Sequence, residues 1–183
     1  MGATLLTFDI MHPAASRMSP NALKRPPKLY RYAARTELER SLQFGEFRLQ
    51  PPAAQGPGDQ ILPFGPRQLQ GFLTLSLASA WDTSLSASSG TDKCCLVIHD
   101  AEQFGERIHR AAQRLLPSWA GIDAAISYGV PSPLGDVFTR NRHHAGEKEW
   151  LFAWRPTQPA LANEPVTISI GNIEGIAELR HTS

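Results

Sequence analysis

The sequence predicts a small single domain of the α+β class, built from short, mostly antiparallel strands with a few helices. Its 183 residues suffice for one compact domain, and 42% of them are apolar, enough for a core of ordinary size. Segments with strand character are short and outnumber the helical ones. Because strands and helices do not alternate regularly, a doubly wound parallel sheet is disfavoured.

Composition excludes several classes of function. The 18 basic and 17 acidic side chains nearly cancel, so no global field draws the chain to nucleic acid or to an anionic membrane. The adjacent Cys94 and Cys95 are too few and too badly placed for a disulfide framework or a metal site. No apolar stretch approaches the roughly 18 residues of a membrane span, and no hydrophobic signal core is present. We therefore expect a cytoplasmic protein, or one secreted into the cytoplasm of a target cell without a classical signal peptide, and no membrane partner.

Residues 1–27 are predicted to form an irregular, basic N-terminal arm. Residues 11–27 are rich in Pro, Ser, Ala and Asn and show no sustained periodicity. Residues 17–35 contain six basic side chains and no acidic one, so the arm leads into the fold as a positive stripe. A solvated leader is the simpler interpretation of this stripe. The single α+β domain then occupies residues 28–183.

The domain is predicted to open with a strand and a short helix. Residues 28–32 form the strand, and residues 36–43 form the helix. Thr36 begins this helix and Glu39 follows three residues later, which is the pattern of a capping box. Gly45 ends it.

Three further strands follow, separated by loops. Residues 47–49 form the second strand, and the prolines and glycines of residues 51–58 then predict a flexible loop. Residues 71–78 alternate leucines with small hydroxyl side chains, so one face of this strand belongs to the core and the other is available. A Ser-rich loop over residues 81–91 leads to residues 94–99, whose length and branched side chains are typical of a buried strand.

The clearest helix in the sequence begins after its predicted N-cap, Asp100, and is closed by Pro117. Its apolar residues recur at spacings of four, four and three, the pattern of an amphipathic helix that covers a sheet. The rest of the chain is predicted to form strands at residues 122–128, 149–154 and 166–170, a loop at residues 130–135 and a terminal turn at residues 173–179.

The common sequence signatures of enzymes are absent. There is no glycine-rich phosphate loop, no Gly-x-Ser-x-Gly motif and no pair of cysteines or histidines at metal spacing. The adjacent His143 and His144 point in different directions on any regular element, so a loop or substrate contact fits them better than a metal pair. We therefore expect no metal.

Three features able to support chemistry remain. Arg31 lies in the first strand, Thr74 and Ser76 lie on the hydroxyl-bearing face of an amphipathic strand, and Glu147 and Glu149 open an aromatic strand. Two glutamates at positions i and i+2 of a strand project to the same face. Their negative charges repel each other there, which costs stability unless a cationic ligand or partner offsets them. A solvated, charged strand edge is the alternative interpretation of this pair.

In type and order these motifs resemble the ADP-ribosyltransferase superfamily, in the class named for its arginine, serine and glutamate motifs. The resemblance spans residues 28–155, and the matching segments are Tyr30-Arg31, Thr74-Leu75-Ser76 and Glu147-Lys148-Glu149. This sequence departs from the family pattern at Thr74, which replaces a serine, and at Leu75, which stands in the middle of the motif. The spacing from Ser76 to Glu149 is also longer than in compact members. The resemblance implies two packed sheets and NAD as substrate.

The resemblance also implies roles for the motif residues. Arg31 would hold the diphosphate of NAD through forked, charge-assisted hydrogen bonds, and Ser76 would fix the geometry beneath the cofactor or Glu149. Glu149 would stabilise the positive charge that develops on the ribose as the nicotinamide bond breaks. Glu147 would orient or deprotonate the incoming nucleophile.

Further cofactor contacts would come from Thr74 and from an aromatic ring. Tyr30, Tyr128 or Trp150 could stack on the nicotinamide, and core packing is the alternative for each of these rings. The predicted catalytic residues are thus Glu149 and Glu147, and the predicted cofactor-binding residues are Arg31, Tyr30, Thr74, Ser76 and Tyr128.

Three functions are compatible with these features. The first is an NAD-dependent ADP-ribosyltransferase, an effector or toxin of bacterial type whose macromolecular acceptor is expected to be a protein before a nucleic acid. A cognate immunity or adaptor protein would be a further partner. The second is a non-catalytic binding module on a related scaffold, an immunity, adaptor or delivery protein that uses the surface near Trp81, His143 and Trp150. The third is NAD glycohydrolysis, in which water replaces the acceptor.

Overall fold

A six-stranded antiparallel sheet forms the centre of the fold. The computed structural model describes residues 23–52, 71–86, 94–158 and 164–181. In chain order its elements are β1 (Leu29–Tyr32), α1 (Arg35–Phe44), β2 (Glu46–Leu49), β3 (Leu73–Ala78), α2 (Thr83–Ser86), β4 (Cys94–Ile98), α3 (Ala101–Leu115), β5 (Trp119–Ala125), β6 (Ser127–Tyr128), β7 (Thr139–Arg140), β8 (Glu149–Pro156), β9 (Val166–Ser169) and β10 (Ala177–His181). The 3₁₀ helices Asp136–Phe138 and Arg142–Glu147 flank β7.

The strand order of the large sheet is β10-β4-β1-β3-β8-β5, and each neighbouring pair is antiparallel. β2 and β9 form a separate antiparallel ribbon, and β6 and β7 form a short parallel one. Phe47 of β2 and Ile168 of β9 share one core with residues of the large sheet. The predicted fold class, a small α+β domain of mostly antiparallel strands, is therefore confirmed.

Helices α1 and α3 cover one face of the large sheet, which we call the helical face. Alternate strand residues such as Leu75, Leu96 and Phe152 point to this face and form the main core. Helix α3 buries its apolar stripe against them, and the Asp100 carboxylate accepts a hydrogen bond of 2.9 Å from the Gln103 N–H. The capped amphipathic helix that the sequence predicts is thus present.

The opposite face of the sheet, which we call the loop face, carries a smaller core. Val137 and Phe138 from the first 3₁₀ helix pack there with Leu151 and Ala153 of β8. Because successive residues of a strand point to opposite sides, β8 buries aromatic side chains on the helical face and smaller ones on the loop face.

Helix α1 begins differently from its prediction. It starts at Arg35 with Ala34 at the N-cap position, and no side chain caps it. The predicted capping box is wrong, because Thr36 lies inside the first turn and Glu39 instead pairs with Arg35 at 2.8 Å. Gly45 ends the helix as predicted, in the left-handed conformation with φ of 63°.

Three other segments differ from their predicted structure. The predicted strand at residues 122–128 is divided, because β5 ends at Ala125 and the chain then leaves the sheet to form β6. The predicted terminal turn contains the start of β10. This edge strand is rich in polar residues, so its sequence lacks the apolar pattern from which strands are predicted. The short helix α2 occupies part of the predicted Ser-rich loop. Predictions for residues 1–22, 53–58 and 87–91 lie outside the described residues.

Candidate functional site

The candidate site is a cluster on the loop face, centred on the carboxylate of Glu149. β3 and β8 are neighbours, with Ala78 opposite Glu149 and Ser76 opposite Leu151. This register brings the Ser76 hydroxyl to Glu149, where it donates a hydrogen bond of 2.8 Å to Oε1. Two predicted residues, 73 positions apart in the sequence, are thereby joined.

Tyr128 forms another side of this Glu149 cluster. Its phenol oxygen accepts a hydrogen bond of 2.8 Å from the backbone N–H of Glu149 and lies 3.5 Å from the carboxylate Oε2. Burial, together with the negative charges of Glu149 and Glu147, raises the pKa of Tyr128 well above its ordinary value. The phenol therefore stays protonated and remains a donor at neutral pH.

Arg140 belongs to the cluster although the sequence did not single it out. Its Nε lies 3.6 Å from Oε2 of Glu149, and the two side chains are only 21% and 12% exposed. The parallel pairing of β6 with β7 sets Tyr128 opposite Arg140, so the two reach the carboxylate together. Arg140 is one of several basic residues in the segment before Glu149. Only the pairing of β6 with β7 shows that Arg140 is the one that reaches the carboxylate.

Aromatic side chains lie beside the cluster on the loop face. Tyr30 of β1 is opposite Ala78, which is opposite Glu149, so two strand spacings of about 4.8 Å separate Tyr30 from Glu149. The Tyr30 ring meets Trp81 edge-on at 5.8 Å between centroids, and Tyr32 contacts the same indole at 6.3 Å. Trp81 itself is 39% exposed. A flat aromatic ligand could pack on this surface.

Arg31 is not part of the Glu149 cluster. It points to the helical face, as its neighbour two positions away, Leu29, does, whereas Tyr30 between them points to the loop face. Its guanidinium pairs with Glu37 of α1 and lies over the ring of Phe47, 5.5 Å from the centroid. The sheet thus separates Arg31 from Glu149, and the expectation that both residues line one site is not met in this structure.

Thr74 lies on the loop face but uses its hydroxyl elsewhere. Its Oγ1 donates a hydrogen bond of 3.1 Å to the backbone carbonyl of Gln50, and the two residues also form an isolated bridge through their backbones. Thr74 therefore ties the end of β2 to β3. It lies two positions before Ser76, but its hydroxyl bonds to Gln50 and not to Glu149.

Glu147 departs from its predicted position. It ends the 3₁₀ helix Arg142–Glu147, and the next residue, Lys148, has a left-handed backbone with φ of 45°. The prediction that Glu147 and Glu149 share one strand face is wrong, because this turn precedes β8. The Glu147 carboxylate lies 2.8 Å from Nδ1 of His144 and is 42% exposed. It remains near enough to Tyr128 to help raise the pKa of that phenol.

Trp150 is unavailable either for stacking on a ligand or for contact with a partner. It is 2% exposed, and its indole N–H donates a hydrogen bond of 2.8 Å to Asp123 on the helical face. The predicted binding surface near Trp81, His143 and Trp150 therefore lacks its third member.

Asp123 is the centre of a second cluster, on the helical face. Arg25 donates to its two oxygens from Nε and Nη2 at 2.7 and 2.8 Å, and His109 Nε2 lies 2.7 Å from Oδ1. Burial alone would raise the pKa of Asp123, but hydrogen bonds from His109, Arg25 and Trp150 outweigh it and lower the pKa to about 2. This carboxylate is saturated with donors.

Arg25 corrects the interpretation of the arm as a wholly solvated leader. Its side chain is only 17% exposed and crosses α3 at Gly105, where a Cβ atom would stand 2.4 Å from the guanidinium carbon. It also pairs with Glu102 at 2.6 Å. The end of the predicted arm is therefore part of the folded domain.

Two features are absent from the described part of the chain. No three His, Cys, Asp or Glu side chains there are grouped so that they could hold a metal ion. No helix there is long and apolar enough to cross a membrane.

Comparison with known proteins adds no identity. No family model matches the chain, and no curated protein or solved structure is significantly similar to it. The function must therefore be argued from the chemistry of the Glu149 cluster.

Proposed function

We propose that the Glu149 cluster cleaves NAD and transfers its ADP-ribose to a macromolecule. The observation that supports this proposal is a nearly buried carboxylate, 12% exposed, held by Ser76 and Tyr128 beside the aromatic residues Tyr30 and Trp81. Breaking the bond between nicotinamide and ribose develops positive charge on the ribose. A carboxylate already fixed in place stabilises that charge with little reorganisation.

The proposed reaction divides its work between two glutamates. The C–N bond to nicotinamide breaks and its electron pair leaves with the nicotinamide nitrogen, while Glu149 stabilises the ribose cation. The acceptor then forms a bond to the anomeric carbon and gives up a proton. Glu147, more exposed and paired with His144, would take that proton. Ser76 and Tyr128 position Glu149.

In this proposal Arg140 binds the diphosphate of NAD, the role that the resemblance assigned to Arg31. A guanidinium binds a diphosphate through two parallel hydrogen bonds, and Arg140 is an arginine in direct contact with the Glu149 cluster. Arg31 is committed to Glu37 on the other face of the sheet. We therefore expect loss of NAD affinity in Arg140→Gln and near-normal affinity in Arg31→Gln, measured by calorimetric titration of the folded variants.

The first experiment follows nicotinamide release and transfer of labelled ADP-ribose from NAD, with and without a cell lysate. We expect Glu149→Gln to lower nicotinamide release at least about a hundred-fold, because the amide keeps the shape of the side chain but removes its charge. Glu147→Gln is the matched control: it should keep slow NAD cleavage while losing transfer to the acceptor.

The outcomes separate the alternatives. Full activity of Glu149→Gln, or neither NAD binding nor nicotinamide release under any condition, would overturn the proposal. Label that accumulates as free ADP-ribose in the presence of lysate would identify NAD glycohydrolysis instead of transfer.

Partner recognition without catalysis is the second candidate, and the exposed Trp81 favours it. Large exposed aromatic side chains often act as anchors in protein interfaces. In that case a Glu147→Ala, Glu149→Ala double variant would capture its partner as well as the unmodified protein does, whereas Trp81→Ala would not.

A further inference from the structure

A cavity of about 300 Å³ opens on the loop face at the end of β8 remote from Glu149. Small residues make room for it, because Ala120 of β5 and Ala153 of β8 line it with little side-chain volume, and Gly121 borders it with backbone. Larger apolar side chains surround this space, namely Phe72, Ile122, Leu134 and Phe138. The exposed side chain of Arg155 also borders it.

This cavity is separate from the Glu149 cluster. Ala153 follows Glu149 by four residues on β8, a distance of roughly 13 Å at about 3.3 Å per residue. Between them Leu151 is buried in the smaller core with Val137 and Phe138. A ligand in the cavity therefore need not touch the Glu149 carboxylate.

The lining defines the chemistry of a ligand. Two phenyl rings and aliphatic side chains favour an apolar, flat group. Ile122 is 40% exposed, and a bound ligand would remove its apolar surface from water. Arg155 has no carboxylate partner within the described ranges, so its guanidinium can pair with an anion. A cavity of about 150 Å³ accommodates benzene, so this one has room for about two fused rings.

We propose that this cavity binds a small aromatic carboxylate, with its rings against Phe72 and Phe138 and its carboxylate paired with Arg155. The apolar walls supply most of the contact area, and the arginine selects the anion over a neutral compound of the same shape. This site is independent of the reaction proposed for Glu149.

The test titrates the full-length protein calorimetrically with 2-naphthoate and with its neutral analogue 2-naphthalenemethanol. We expect saturable 1:1 binding of the naphthoate and affinity for the alcohol lower by roughly ten-fold. Arg155→Gln should remove this preference, whereas Arg110→Gln, a change of an exposed arginine on α3, should leave it intact.

A second variant tests the location. Ala120→Leu fills the cavity from an exposed position of the edge strand β5, so the fold should tolerate it, as thermal unfolding would verify. It should abolish naphthoate binding, while Glu149→Gln should bind naphthoate normally even if NAD chemistry is lost. No saturable binding, equal binding of the alcohol, or binding unchanged in both Arg155→Gln and Ala120→Leu would overturn the proposal.

Discussion

Glu149 and Asp123 are two carboxylates on opposite faces of one sheet, and their surroundings suit them to different tasks. Asp123 accepts two hydrogen bonds from Arg25 and one from Trp150, and His109 lies at 2.7 Å. Glu149 is held by a hydroxyl and a phenol, with a cation 3.6 Å away. Donors saturate Asp123, which suits it to a structural role, whereas fewer donors surround Glu149 and leave room for a ligand.

Trp150 and Trp154 allow a matched test of the Asp123 cluster. Both indoles are 2% exposed on the helical face, but Trp150 donates to Asp123, whereas Trp154 Nε1 is buried without a partner among the described residues. We expect Trp150→Phe to lower the free energy of unfolding by about 1–2 kcal/mol more than Trp154→Phe, because only the first change breaks a buried hydrogen bond to a charged group. Urea unfolding of both variants measures the difference, and equal losses would contradict the assigned role of the Trp150 N–H.

The Glu149 cluster also makes a prediction at the scale of single residues. Ser76→Ala removes the hydroxyl that fixes Oε1 but leaves the carboxylate charge, so we expect nicotinamide release to fall by roughly ten-fold, far less than in Glu149→Gln. Thr74→Val is the control on the same strand face, because its hydroxyl bonds to Gln50 and not to Glu149. A larger loss in Thr74→Val than in Ser76→Ala would contradict the positioning role.

At the scale of elements, the alternation of strand side chains decides which residues meet. Tyr30 and Arg31 are adjacent in β1, yet one points toward the Glu149 side of the sheet and the other toward α1. The antiparallel register of β3 and β8 brings Ser76 to Glu149. A turn at Lys148 keeps Glu147 off the strand.

Gly45, which ends α1, carries a prediction at this scale. Both Gly45 and Gly171 have positive φ, of 63° and 77°, but a Cβ at Gly45 would lie 2.1 Å from the carbonyl oxygen of Gly171, whereas a Cβ at Gly171 meets open space. We expect Gly171→Ala to cost about 1 kcal/mol, the ordinary penalty for a left-handed alanine. Gly45→Ala should cost clearly more, because backbone must move as well. Denaturant unfolding of the pair checks this, and similar losses would contradict it.

At the scale of the whole molecule, the Asp123 cluster joins segments that are far apart in the chain. Arg25 precedes the first strand, His109 lies on α3, and Trp150 lies on β8, yet all three contact one carboxylate of the edge strand β5. The stability of the domain should therefore depend on the ionisation of Asp123.

Acid should reveal this dependence. The pKa of Asp123 falls from 3.8 to about 2 on folding, so its contribution of about 2 kcal/mol is complete above pH 4 and is lost as the pH falls toward 2. We expect the difference in unfolding free energy between the unmodified protein and Asp123→Asn to shrink over this interval. Urea unfolding from pH 2 to pH 6 measures it, with Glu106→Gln on the exposed side of α3 as the control. A difference independent of pH would contradict the role of the charge.

Local patterns in the sequence determined much of the fold. The alternation in β3, the apolar stripe of α3 and the aromatic run of β8 each identify one element, because a side chain's burial within a strand or helix follows a short period. The motif resemblance also singled out Ser76 and Glu149, and Tyr128 was one of the rings expected to contact the cofactor; the structure brings these three together. Polar β10 and the start of α1 escaped prediction because their signals are weak or ambiguous.

Which of these residues share a site depends on contacts between elements, which the sequence pattern does not reveal. The pairing of β1 within the sheet determines that Arg31 points to the helical face. The short pairing of β6 with β7 brings Arg140 to the carboxylate of Glu149. Arg25, separated from Asp123 by 98 positions, has no local pattern that connects the two. Sequence periodicity reports which face of its own element a residue occupies, but contacts between elements are set by register and topology, which long-range packing selects.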